Sequence, residues 1–324
     1  MGESRNIWGI SGNELLKKVS SGVTICIPAY NEGENLGRLI KFISSQKSIF
    51  DITKEIIVDI SGSSDNSRAV LDSLHETYEK IRVVDVGVRD GLINSVQRLI
   101  LNSKTEIVVR CDADIIIESC TLDKLISEFS QSDVGIVGPR VVSLSDGSSL
   151  VERIHEVLYE IHHMVCLSHP KTTNLQVFRN DGNLKLPPGT QVEDIVLQDL
   201  VVSKGYRVKY VPDAMIYVLP PSTMKEYVRQ RARNIENNLW YKHYTGVPSP
   251  TQNPRTIIKS TLRSLKRKSR HFSIYSLIEF LIIELGLTIY VRSRDAIFGS
   301  PKYEPWEHVR GTKPRGFYAP KEDK

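Results

Sequence analysis

Apolar and amphipathic stretches alternate along the chain from residue 23 onward. VTICIPAY (23–30) reads as a strand, and NLGRLIKFISSQ (35–46) has helical spacing. EIIVDI (55–60) is strand-like. The turn SGSSDNS (61–67) follows it, then a helical SRAVLDSLHETYEK (67–80) with Asp65 or Ser67 as its N-cap. The alternation continues through IRVVDV (81–86), INSVQRLILNS (93–103) and EIVVRCDADI (106–115). This order predicts an α/β fold: a mostly parallel, Rossmann-like sheet flanked by helices, with ligands received at the carboxyl ends of the strands. Further on, 134–142 and 206–218 read as strands. Residues 151–164 and 223–244 read as helices, and 186–206 as a loop leading into a helix.

Two carboxylates, Asp112 and Asp114, stand one residue apart in the otherwise apolar run 107–117. Charges in such a setting are costly unless a cation or a hydrogen-bond network receives them. Side chains alternate along a strand, which predicts both Asp residues on one face and Ala113 on the other. That arrangement suits Mg²⁺ or Mn²⁺ shared with the phosphates of a ligand. The alternative is a strand end whose Asp residues cap the next turn.

Composition is that of a globular protein, 40% hydrophobic and 25% charged, with a net charge of +5. The charge is unevenly placed. Seven Lys/Arg and no acidic residue lie between Arg255 and His271, a patch suited to phosphates or to a solvated helix face. The four cysteines show neither a CxxC pair nor zinc spacing, which fits a reducing compartment. MGESRNIWGI carries no charged leader before an apolar stretch, and Asn6 stands where a myristoylation signal needs Ser or Thr.

The segment FSIYSLIEFLIIELGLTIYV (272–291) is long enough to span a bilayer, but Glu279 and Glu284 oppose that placement. Ile274, Ile278, Leu281, Leu285 and Ile289 form an apolar stripe with both Glu residues off it. The expectation is a helix lying in the membrane interface, with the basic patch on anionic headgroups. A helix packed on the preceding domain is the alternative. Glu152/His155 and Glu160/His163 repeat an ExxH spacing on one helix, but the two pairs are roughly 12 Å apart at a helical rise, too far to share a metal cluster.

Taken in order, these motifs resemble the family 2 glycosyltransferases of the GT-A fold, the group that includes dolichyl-phosphate mannose synthases and the catalytic domains of cellulose and hyaluronan synthases. The resemblance covers roughly residues 22 to 245 and lies in the set of motifs. It implies nucleotide contacts by Pro28, Tyr30, Asn31 and Glu32 in IPAYNEGENL, and by Gly62, Ser63 and Asp65 in the second strand-end motif. The family's first Asp of that motif, a common base contact, has Ile60 in its place. Asp59 stands one residue early and is expected to face the other way. Arg89-Asp90-Gly91 and Asn94 match a basic turn before a helix, and Asp112-Ala113-Asp114 matches the metal motif. Glu193-Asp194 resembles the acidic pair that holds the catalytic base. Gln230 and Arg233 match the Q-x-x-R-W element, with Asn234 in place of Trp. That replacement, and the absence of several spans, argues against a polymer-extruding synthase.

The resulting expectation is an inverting, metal-dependent glycosyltransferase. It moves one sugar from a UDP- or GDP-type donor to a lipid-linked or other membrane-associated acceptor, on the cytoplasmic face of a membrane, with no nucleic-acid partner. Asp112 and Asp114 hold the metal, Asp112 and Arg89 also contact the donor, and Gln230 and Arg233 add donors to the diphosphate. Asp194 is the favoured base, with Glu193 second. The expected organisation is an N-terminal segment (1–21), a GT-A domain (22–250), a basic and amphipathic extension (251–298) that meets an anionic membrane through 255–294, and a tail (299–324). A sugar-1-phosphate nucleotidyltransferase would need a glycine-rich loop after the first strand, and a dinucleotide oxidoreductase a GxGxxG; PAYNEGENL has neither. A non-catalytic nucleotide-sugar-binding or scaffold protein on the same fold is the remaining alternative.

Overall fold

The computed structural model describes residues 21–266 and 273–298; the expected N-terminal segment (1–20 of it), tail and part of the basic run lie outside them. Eight strands form one sheet in the order β3-β2-β1-β4-β7-β6-β8-β5. They are β1 (Val23–Pro28), β2 (Thr53–Asp59), β3 (Ile81–Val84), β4 (Ile107–Cys111), β5 (Ile116–Ile117), β6 (Val134–Ser143), β7 (Leu175–Arg179) and β8 (Arg207–Val218). Pairing is parallel for β1/β2, β1/β4, β2/β3 and β6/β8. It is antiparallel for β4/β7, β6/β7 and β5/β8. The sheet is thus mostly parallel, with β7 reversed at its centre. The helices are α1 (Gly33–Ser45), α2 (Lys47–Ile52), α3 (Ser67–His75), α4 (Leu92–Asn102), α5 (Thr121–Ser127), α6 (Leu150–Cys166), α7 (Glu193–Val202), α8 (Met224–Thr245), α9 (Pro254–Lys266) and α10 (Ile274–Phe298).

Period-two alternation sorts the strand residues into two cores. Ile25, Ile27, Ile56, Val58 and Val109 pack with α1 and α3 on one face. Cys26, Ile57 and Val108 pack with Val96 and Leu99 of α4 and Leu197 of α7 on the other. Because both faces are covered, β1 is buried at all six positions and reads as a continuous apolar run. A third cluster joins α6, α8 and α10 through Val157, Tyr227, Phe280 and Leu287.

β4 ends at Cys111, so Asp112-Ala113-Asp114 forms the turn after the strand and lies outside its pairing register. Alternation nevertheless persists through the turn: Ala113 is buried while both Asp residues are half-buried. The parity expected for Asp59 is reversed. Ile60 enters the core, and Asp59 shares the ligand-facing side with Ser61. Ile60 therefore leaves the cavity-facing positions of this strand end, 59 and 61, unaltered.

α10 lies along α6 and α8. Leu277, Phe280, Leu287 and Val291 face the domain. Glu279 pairs bidentately with Arg153 at 3.0 and 2.8 Å, and Glu284 with Arg231 at 2.8 and 2.7 Å. The apolar stripe expected from sequence points outward, with all five members exposed.

The turn after β2 requires glycine. Gly62 has φ +74°, and a Cβ there would lie 2.4 Å from the Arg89 backbone nitrogen and 2.7 Å from its Cα. Gly87 has φ +73° but meets nothing within 4 Å. Gly62→Ala is therefore expected to lower unfolding free energy by ~2–4 kcal/mol, and Gly87→Ala by about 1 kcal/mol, in urea titrations. Equal losses would mean that backbone conformation alone sets the cost and that the contact with Arg89 yields freely.

Candidate active site

The ends of β1, β2 and β4, the start of α7 and one face of α8 surround a single cavity of about 860 Å³. Pro28, Tyr30, Glu32, Arg89, Asp112, Asp114, Glu193, Asp194, Gln230 and Arg233 all line it. Residues drawn from five separate sequence motifs are thereby brought to one space.

Asn31, Gly62, Ser63 and Asp65 stand behind that surface and hold its loops. Asn31 has φ 55°, a left-handed conformation that Asn tolerates better than most residues. Its Oδ1 accepts from the Ser64 and Asp65 amides at 2.8 and 3.3 Å, and its own amide donates to Ser63 Oγ at 3.1 Å. Asp65 Oδ2 accepts from the Gly33 amide at 3.1 Å, and its Oδ1 from Ser67 Oγ at 2.5 Å. Burial works to raise the Asp65 pKa, but these donors hold it below the usual carboxylate range. The first two strand-end loops are therefore latched together.

At the Tyr30 end, the Arg89 guanidinium sits 4.0 Å from the centre of the Tyr30 ring. Beneath them is a network missed in the sequence. The fully buried Asp59 carboxylate accepts from Ser61 Oγ at 2.6 Å and from Arg98 Nε at 2.8 Å. Arg98 also donates to Ser61 Oγ at 3.0 Å and pairs with Asp90. An acidic residue at the end of an apolar strand and an arginine on the amphipathic α4 were the available signals.

The central feature is Arg110, also missed. Its Nη2 lies 2.8 Å from Asp112 Oδ1 and 2.9 Å from Glu193 Oε1, and its side chain is 2% exposed. Its signal was an arginine inside an apolar strand, spaced by two from Asp112 and by four from Asp114. Asn174 holds the other Asp112 oxygen at 3.0 Å. Even so, burial keeps the Asp112 pKa above its ordinary value, against Arg110 and Asn174. Burial, with Asp112 nearby, raises Asp114 to about 7. Burial likewise raises Glu193 to about 7, against the attraction of Arg110. Asp194 is half-buried, opens on the cavity, and accepts from the Ile195 amide at 2.7 Å.

The donor set fits a hard divalent ion. Asp114 takes no hydrogen bond from another residue among the described residues, and burial, with Asp112 beside it, disfavours its charged form more than Arg38 and Arg110 favour it. No group of three or more metal-ligating side chains occurs among the described residues. Two carboxylates supplemented by ligand phosphates are what Mg²⁺ or Mn²⁺ commonly uses. The ExxH histidines are occupied otherwise: His155 Nδ1 is 2.7 Å from Ser143 Oγ and His163 Nδ1 is 2.7 Å from Tyr210 OH.

The model of the family described as glycosyl transferase family 2 matches residues 24–190, just over half the chain. The chain belongs to glycosyl transferase family 2. This glycosyltransferase is 27% identical over 227 residues to the poly-β-1,6-N-acetyl-D-glucosamine synthase of Staphylococcus aureus strain COL, covering 65% of the chain and 53% of the relative. The Staphylococcus epidermidis enzyme of that name is 25% identical over the same coverage. The chain spans about half the length of these curated relatives. Among solved structures, it superposes on a Pyrobaculum calidifontis mannosyltransferase in complex with GDP-Man and Mn²⁺ (TM-score 0.58, 16% identity, 85% and 87% of the two chains). It also superposes on glucosyl-3-phosphoglycerate synthase of Mycobacterium tuberculosis in complex with Mn²⁺, UDP and phosphoglyceric acid (TM-score 0.54, 18% identity, 74% and 84%). At these identities the structures establish the shared GT-A fold.

Removing Arg110 strands two acids in a buried site. Arg110→Met is expected to cost ~3–5 kcal/mol of stability at neutral pH in chemical denaturation, with Arg110→Lys recovering part of it. A loss below about 1 kcal/mol would mean that Asp112 and Glu193 find other partners.

Proposed function

We propose that this glycosyltransferase transfers a single sugar, with inversion, from a UDP- or GDP-sugar to a lipid-linked or other membrane-associated acceptor at the cytoplasmic face of a membrane. The observation that supports this most is the opening of the Asp112/Asp114 and Glu193/Asp194 pairs onto one cavity, joined by Arg110. Asp112 and Asp114 would hold Mg²⁺ or Mn²⁺, which supplies positive charge to the leaving diphosphate. Solved fold neighbours carry GDP-Man or UDP with Mn²⁺, in keeping with that donor class.

The remaining steps belong to side chains. Tyr30 and Arg89 form a stacked wall for the nucleotide, and Asp59 and Ser61 present polar atoms beneath it. Gln230 and Arg233 reach the same cavity from α8, where their N–H groups can meet the phosphates. Glu193 is engaged by Arg110, which leaves Asp194 as the group to accept the proton of the attacking hydroxyl. Glu193 is then a positioning residue, fixing Arg110 and through it Asp112. Inversion follows if the acceptor enters from the Asp194 side and displaces the diphosphate in line.

The test is turnover and binding with UDP-, GDP- and CMP-sugars in the presence of Mg²⁺ or Mn²⁺. Asp114→Ala is expected to remove metal-dependent donor binding while the fold persists. Asp194→Asn is expected to lower kcat by ~10²–10⁴-fold with donor affinity retained. Folded wild-type protein that binds none of these donors would overturn the reading and favour a scaffold role. An Asp194→Asn variant with normal turnover would move the base elsewhere.

A further inference from the structure

α9 and α10 each turn an apolar face away from the protein. On α9, Ile258, Leu262 and Leu265 are exposed on one side, while Ser260 and Ser264 are buried on the other. On α10, Ile274, Ile278, Leu281, Ile282, Leu285 and Ile289 are all exposed, between 47% and 67%. An 18-residue window within Ile274–Ile297 has a mean hydropathy of 1.8, yet only 28% of it is buried. Exposed apolar surface this continuous is rare on soluble proteins and marks an interaction site.

Two further observations identify what covers it. First, the exposed side of α9 places Arg255 and Lys259 beside its apolar stripe, and the sequence continues without acids to His271. An apolar stripe edged by cations matches an anionic lipid surface, whose acyl chains take the stripe and whose headgroups take the cations. Second, the active-site cavity reaches this face. Its lining runs from Asp112 and Asp114 to Ile258 on α9 and to Leu281, Leu285 and Thr288 on α10. Ile258 and Leu285 are also 62% and 63% exposed, so they belong to both the cavity wall and the outer face.

We infer that α9 and α10 form a bilayer-docking face seated on anionic phospholipid, and that the active-site cavity opens laterally onto it between the two helices. This deepens, and rests on, the membrane-acceptor reading: it specifies an acceptor with an apolar tail that stays in the bilayer while its polar head enters the cavity. The Arg153–Glu279 and Arg231–Glu284 pairs hold α10 against the domain along its length, so it lies on the membrane with the domain and does not cross it.

The test uses the full chain with phosphatidylcholine vesicles, with and without phosphatidylglycerol. Sedimentation is expected to show binding to the anionic vesicles that weakens with salt. Leu262→Asp with Ile282→Asp, positions outside the cavity lining, is expected to reduce that binding by about tenfold or more while donor hydrolysis is unchanged. A fluorophore on Leu285→Cys, in a Cys120→Ser background that leaves only buried cysteines, is expected to shift to the blue when vesicles are added. Binding of neither vesicle type would overturn the docking face. So would a dimer that the same double variant dissociates, since a second copy would then cover the stripes. A protein that binds vesicles while the probe at 285 stays in water would overturn the lateral opening. Donor hydrolysis, read separately without vesicles, reports on the transferase reading and distinguishes its failure from these.

Discussion

A buried guanidinium between two acidic groups sets the geometry of the candidate site. Asp112, Asp114, Glu193 and Asp194 share one cavity, and at low effective dielectric neighbouring like charges repel strongly. Arg110 meets that repulsion at one point, with a single nitrogen within 2.9 Å of both Asp112 and Glu193. It lies at the central sheet strand β4, where its backbone cannot drift. The strand therefore fixes the guanidinium, the guanidinium fixes both carboxylates, and the start of α7 is held against the end of β4. Asp114 stands outside that pairing, and burial with Asp112 nearby disfavours its charged form.

The Tyr30 end of the cavity follows the same logic with a different set of partners. Loops that carry polar groups for a ligand are free to wander unless their backbone amides are bonded. Asn31 and Asp65 supply the acceptors that tie the first loop to the second, and Arg98 with Asp59 and Asp90 ties the second to the third. All of these bonds run between the protein's own groups, so the loops hold one another.

The Rossmann-like half of the fold was legible because its periodicities are strong: buried parallel strands and amphipathic helices leave little ambiguity from residue 23 to 111. β7 was not. LQVFR is five residues long and contains Gln176 and Arg179, and its place is set by antiparallel pairing with β4 and β6, both distant in sequence. The line-up of acids around the cavity was readable because motif residues at strand ends must converge on one sheet edge. Arg110 and Asp59 were not, since their roles depend on pairing with residues 83 and 39 positions away in sequence. Asp59 was misread for a specific reason: the facing of a strand's last residue was inferred from a motif position, and here the cavity side is shared by 59 and 61.

α10 carries two conflicting signals in one helix. A helix with Glu279 and Glu284 is a poor transmembrane span, and one exposing so many isoleucines is a poor surface helix in water. The structure resolves the first on the side facing the domain. Arg231 and Tyr227 enclose Glu284 in a nearly dry ion pair, where removing either charge would leave the other buried. The Arg153–Glu279 pair is about one-third exposed and contributes much less through screening, serving mainly to fix the rotation of the helix. With rotation fixed, the isoleucine face cannot turn inward to the domain. The two ion pairs thus do for the helix what Arg110 does for the active site: they use charge to decide which way the chain must face.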